Sequence, residues 1–290
     1  MVRDSSPTSL LGPNALEGLR VAISVSESAD LGRLGLVEIH LRLALGEIAR
    51  SVLVGNGKLA YGGHLDPSGY TSFLVRELHR YGRRDQPLRV CLAFQEHRKL
   101  SLTDLSDQKR EVGLFGEIVC LSADGKPIRW DDGRGEAAVP VTDDETKAQS
   151  LMSLRRYMAG TTDARVLLGG KRAGFQGGLP GLIEEALLSL EAGQPLFLVG
   201  GFGGVTADII HALTPDNDAR VPPLPNAVPP DPKLSKGLSD LSQIAKDKSW
   251  KGLDNGLSPE ENQALAATPR PSEIAALISL GLGRRLVGVR

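Results

Sequence analysis

The chain has 290 residues, 41% of them hydrophobic and 24% charged, with a formal net charge of −1. This is ordinary globular composition, enough for one large domain or two modest ones. Near-zero charge without a basic stripe argues against non-specific nucleic-acid binding, and no run approaches the ~18 apolar residues of a membrane span. Only 4% of residues are aromatic, so aliphatic side chains must fill the core. The two cysteines, Cys91 and Cys120, lie in apolar runs and read as small buried residues, not a disulfide framework. Met1 to Asn14 is polar and lacks the apolar stretch of a signal peptide, so a cytoplasmic location is expected. The five histidines do not pair at metal-ligand spacing. Neither a metal nor a cofactor is expected.

Residues 1–18 read as an N-terminal arm. Leu19 to Val25 is a first buried strand ending in the small polar turn Ser26-Glu27-Ser28-Ala29-Asp30, with Ser26 a candidate ligand contact. Val37, Leu41, Leu45, Ile48 and Val52 recur at helical spacing and predict the next helix. Gly55-Asn56-Gly57-Lys58-Leu59-Ala60 matches a dinucleotide fingerprint by letter only. It follows a helix and precedes a strand, the reverse of what the fingerprint needs. The strand Lys58 to Tyr61 runs into Gly62 and Gly63, then a helix carrying Leu74, Leu78 and Tyr81. Gly62, Gly63 and Tyr70 are candidate ligand residues, and His64 lies beside them.

Leu88 to Phe94 predicts a third strand, while residues 95–116 give no clear period. A small strand at 117–121 and an edge segment at 127–130 flank the turn Ala123-Asp124-Gly125-Lys126. Thr142 to Met158 predicts a helix with an acidic first turn, which suits the helix dipole.

The densest glycine cluster follows the strand Ala164 to Leu168. Gly169, Gly170, Lys171, Arg172, Gly174, Gly177 and Gly178 lead to a helix burying Leu179, Ile183, Leu187 and Leu190. Strand, glycine loop and helix together present backbone N–H groups and a positive helix end to a phosphate. A last strand, Pro195 to Val199, ends in a similar loop with Gly201, Phe202 and Gly203 before a helix through Ile209 and Ile210. These turns predict one cleft at the carboxyl edge of a parallel sheet. The fold expected is α/β: a Rossmann-like, doubly wound, mostly parallel sheet with helices on both faces over residues 19–213.

Residues 214–232 form a proline-rich loop, with seven prolines from Pro215 to Pro232. Residues 233–290 read as a small helical appendix packed on the same domain. Ser258-Pro259-Glu260-Glu261 is a capping box that starts one helix. Ser272 opens the last, with Ile274, Leu277 and Ile278 on one face, ending at Gly281 or Gly283.

Three stretches carry a family resemblance: Met152-Ser153-Leu154-Arg155-Arg156, Gly178-Leu179-Pro180-Gly181-Leu182-Ile183-Glu184-Glu185, and Leu59-Ala60-Tyr61-Gly62-Gly63. They resemble the SLOG superfamily, the Rossmann-like group that includes the Smf/DprA proteins and the LOG phosphoribohydrolases. The first two sit where the LOG enzymes carry M-x-x-R-K and P-G-G-x-G-T-x-x-E. The glycine loop is closer to prokaryotic SLOG families associated with TIR and Sir2 domains, which are proposed sensors of NAD-derived signals in phage defence. The resemblance implies binding of a nucleotide, ADP-ribose-like or cyclic and NAD-derived, by a homo-oligomer that signals to a separate effector protein. The alternative it implies is phosphoribohydrolase activity, with Glu185 as the catalytic glutamate and Arg155 as the arginine. Leu182 stands at the family threonine and Lys171 to Leu179 is an insertion; both departures favour the sensor.

Overall fold

The computed structural model describes residues 14–81, 85–131, 135–214, 231–245 and 249–287. The first thirteen residues of the expected arm and nearly all of the proline-rich loop lie outside these ranges. Seven strands form one sheet in the order β5-β4-β3-β2-β1-β6-β7. They are β1 (Arg20–Ser26), β2 (Lys58–Gly62), β3 (Leu88–Leu92), β4 (Gly116–Leu121), β5 (Pro127–Ile128), β6 (Ala164–Gly169) and β7 (Leu196–Val199). Every pairing is parallel except β4 with β5. The order runs outward from β1 in one direction and from β6 in the other. The topological switch therefore falls between β1 and β6, where Ser26 is in register with Gly169.

The crossovers are α1 (Glu38–Val54), α2 (Tyr70–Tyr81), α3 (Phe94–Arg98), α4 (Leu102–Val112), α5 (Asp144–Thr161), α6 (Gly181–Glu191) and α7 (Gly204–Leu213). Then come α8 (Pro232–Ala245), α9 (Pro259–Ala267) and α10 (Pro271–Val287). Strand side chains alternate between two apolar layers, so helices must cover both faces. Val166 and Leu168 point into the layer shared with α1, α2 and α10; Leu167 points into that of α6, α7 and α8. Under α5 the sheet offers small residues, Ala22, Ala60 and Cys91, which let that helix lie close. Burial pushes the Cys91 thiol up to about 12, so it stays protonated.

Three boundaries differ from the sequence expectation. The unassigned stretch 95–116 holds α3 and α4, and β3 stops at Leu92 so that Phe94 begins a helix. Ser101 caps α4, accepting from the Asp104 amide at 3.0 Å, a local signal inside an otherwise polar run. The final helix runs through Gly281 and Gly283 to Val287. Gly281 is there for close approach: a Cβ would lie 2.5 Å from the Asn255 carbonyl and 2.7 Å from the Phe197 ring. Leu16, at the near end of the expected arm, is fully buried, and its amide donates to the Gly55 carbonyl at 2.7 Å.

Candidate functional site

A cleft of about 310 Å³ opens at the carboxyl edge of the sheet beside the switch point. Ligand sites in open α/β sheets favour this position, and the volume is at the small end for a ligand pocket. Its walls bring together Ser26 from β1, Gly62 at the end of β2 and Gly63 after it, Arg155 from α5, Lys171 after β6 and Glu185 from α6. His64, Gln95, Glu96, Phe175 and Gln176 complete the rim, with Gly181 and Leu182 at the positive end of α6. Lys171 is half exposed and reaches Glu27 at 3.1 Å, a pair open to solvent and available to a ligand.

Gly62 serves two ends. It lines the cleft, and a Cβ there would lie 2.6 Å from the Met158 sulfur of α5. Close helix-on-sheet packing therefore favours glycine at this position whether or not a ligand binds, since a larger residue would displace Met158.

Below the cleft lies a buried ionic cluster. Arg155 is 9% exposed and pairs through Nη1 with Glu184, which is 2% exposed and also accepts from the Leu179 amide at 2.8 Å. Glu185 lies between two guanidiniums, 3.8 Å from Arg155 Nε and 3.2 Å from Arg165 Nη1. Arg165 is fully buried within β6 and donates to Ser24 Oγ at 3.0 Å. Burial depresses its pKa, and Glu185 opposes that shift. Burial of the Tyr61 hydroxyl, with Glu185 nearby, pushes its pKa upward.

Several predicted contacts fall elsewhere. Gly169 and Gly170 are buried; the Gly170 amide donates to Ser26 at 3.1 Å, and its carbonyl accepts from the Val205 amide at 3.1 Å. Their backbone is committed to joining β1, β6 and α7. Gly177 is buried beside Arg155 and Glu184, while Gly178 faces a second, shallower groove of about 700 Å³. Met152 and the exposed Arg156 line that groove too. Tyr70 is buried, its hydroxyl donating to Glu38 at 2.7 Å, away from the cleft.

Gly201, Phe202 and Gly203 do not line the cleft either. Phe202 is fully buried, and a Cβ on Gly201 would lie 2.2 Å from the Thr268 carbonyl, so the segment after α9 seals this loop. The α7 N-terminus already holds an anion. Asp30 accepts from the Gly204 amide at 2.7 Å and binds Arg172 at 2.8 Å. Arg172 also pairs with Asp208 at 2.6 Å, and the two carboxylates outweigh its partial burial and raise its pKa. The loop's second cation is thus a clamp on the protein's own carboxylates.

Sequence reasoning missed Asp30, Gln95 and Arg165. Arg165 had a readable signal, because a charge within a continuous apolar strand must find a buried partner. Gln95 had none, lying in the stretch without a period. Among the described residues, no three of His, Cys, Asp or Glu cluster so as to hold a metal ion. Among them, too, no helix is long and apolar enough to cross a membrane.

A family model described as SLOG cluster2 matches residues 15–265, a span that includes the whole sheet, the cleft and the sealed second loop. No curated protein matches the chain. With the mostly parallel sheet and the resemblance around Arg155 and Glu185, this match means that the chain belongs to the SLOG superfamily.

Proposed function

We propose that this protein binds a nucleotide, ADP-ribose-like or cyclic and NAD-derived, in the cleft at the β1–β6 switch point. Membership of the SLOG superfamily points to nucleotide-related function. The observation that carries the reading is the convergence of Ser26, Gly62, Gly63, Lys171 and the positive end of α6 on one cleft. Lys171 and the helix end supply the phosphate contacts, while Arg155 is engaged with Glu184 below. In this reading the protein is a cytoplasmic, oligomeric sensor in anti-phage signalling, and ligand occupancy is passed to an effector. Calorimetric titration with ADP-ribose and cyclic ADP-ribose tests it. Micromolar or tighter binding is expected, and silence with both ligands would overturn it.

One observation favours a second reading. Glu185 reaches the cleft, held there 3.2 Å from Arg165 Nη1 and 3.8 Å from Arg155 Nε. A carboxylate so placed would stabilise a ribosyl cation as an N-glycosidic bond breaks, by the same logic as in glycoside hydrolysis. Leu182, at the position of the family hydroxyl, argues against it. Chromatography after incubation with AMP, CMP and GMP decides: the sensor reading expects no base release. Rapid release that disappears in Glu185→Gln would establish the enzyme.

A further inference from the structure

One oxygen on the cleft residues is buried without a donor among the described residues, Gln95 Oε1. Gln95 is 1% exposed and lies in α3, just past the end of β3. Its nitrogen is committed, donating to Gln176 Oε1 at 3.1 Å and to Glu96 Oε1 at 3.2 Å. Those partners fix which way the amide faces. An ionised carboxylate only accepts, so a flipped amide would set oxygen against the Glu96 oxygen. Lys99 holds Glu96 in place at 2.7 Å. The atom left over on Gln95 is therefore an acceptor.

Glu185, in the same cleft, is already held by a cation, its Oε2 3.2 Å from Arg165 Nη1. A buried acceptor without a donor is destabilising and uncommon, and one on the cleft marks what the occupant must bring. A phosphate dianion brings only acceptors and would be repelled by the carboxylate. A hydroxyl brings the missing donor.

We propose that Gln95 is a specificity-determining residue that accepts a hydrogen bond from a ribose hydroxyl of the ligand. This rests on the nucleotide reading and adds an orientation: sugar against Gln95, phosphate toward Lys171 and the α6 N-terminus. It also predicts discrimination between ribose and deoxyribose at a site whose polar contacts are otherwise phosphate-directed.

The test is calorimetric titration of the full chain with two pairs of probes: AMP against 2′,3′-dideoxy-AMP, and ribose 5-phosphate against 2-deoxyribose 5-phosphate. Wild-type protein should bind AMP roughly tenfold or more tightly than its dideoxy analogue. Gln95→Met, similar in length but without the acceptor, should lose affinity for AMP and narrow that ratio. Equal affinity of wild type for AMP and dideoxy-AMP overturns the inference without any variant having to fold. So does a Gln95→Met protein that weakens both analogues alike. If only the sugar phosphates bind, with ribose preferred, the hydroxyl contact stands. No binding by any of the four overturns this inference, while the nucleotide reading stands or falls separately on ADP-ribose and cyclic ADP-ribose.

Discussion

The two glycine loops of this chain are built alike and do opposite things. Each follows a parallel strand, β6 or β7, and each precedes a helix, α6 or α7. After β6 the chain swings out over 171–180, and the N-terminal end of α6 faces an open cleft. After β7 the turn is short, Thr268 covers it, and the α7 N-terminus is occupied by Asp30. Glycine richness therefore marks close backbone approach, and what approaches can be the protein itself. The feature that separates the two is whether a carboxylate from the same chain already satisfies the helix end.

Removing that carboxylate is the severest way to break the contrast. Asp30→Ala leaves Arg172 beside an unsatisfied helix end, and the side chains involved are 5% and 20% exposed. A loss of about 3 kcal/mol in denaturant unfolding is expected, as for a buried pair broken on one side. A loss below about 1 kcal/mol would show that the α7 end does not depend on its internal anion.

Next in size is the seal. Gly201→Ala should cost about 2–3 kcal/mol, because the new Cβ meets the Thr268 and Pro269 backbone and not a flexible side chain. Gly174→Ala, in the open loop, should cost only about 1 kcal/mol; it has φ +70° but nothing within 4 Å of a Cβ. Equal melting temperatures for the two variants would contradict the assignment of one loop as sealed and the other as open.

Lys171→Ala sharpens the comparison from the open side. Ligand affinity should fall by about tenfold as a charge-assisted phosphate contact is lost. The melting temperature should hold, since the Glu27 pair is solvent-exposed. Unchanged affinity in a protein that binds ligand would remove Lys171 from the site.

The smallest effect concerns the clasp flanking the seal. Glu261 of α9 accepts from Arg284 of α10 at 3.0 Å, and that bond holds the Glu261 carboxyl below its ordinary value of 4.5. A carboxyl depressed on folding adds stability above that value and loses it as pH falls through and below it. Glu261→Gln should therefore cost about 0.5 kcal/mol at pH 7, discounted for exposure, and less at pH 3. Urea melts at the two pH values check the sign; a larger cost at low pH would refute it.

Much of the fold was legible because its signals are local. Continuous apolar runs gave β1, β3, β6 and β7 within two residues, helical spacing gave α1, and an acidic first turn pointed to α5. The stretch 95–116 was opaque because α3 is short and α4 shows only two buried positions, Leu105 and Val112. The last helix was cut short in the reading because Gly281 looks like a terminator when its contact with Phe197 is unseen. The candidate site divides the same way. Ser26, Gly62, Gly63, Lys171, Arg155 and Glu185 share one cleft as their strand-end or motif positions implied. Tyr70, Phe202, Gly169, Gly170, Gly177, Gly201 and Gly203 are used by the protein's own packing, and Gly178 faces a separate groove.

The sequence by itself determined the alternation of strand and helix, the parallel sheet it demands and the carboxyl edge where its glycine turns collect. Those follow from periodicity and from the stiffness of local backbone, which read the same in any context. Only the tertiary structure decided which turn stays open, because that depends on partners far along the chain. Asp30 reaches Gly204, Thr268 covers Gly201, and Arg165 meets Glu185 across the layer between sheet and α6. Burial makes such long-range pairings decisive, since a charge or amide withdrawn from water must find its complement wherever the fold places one.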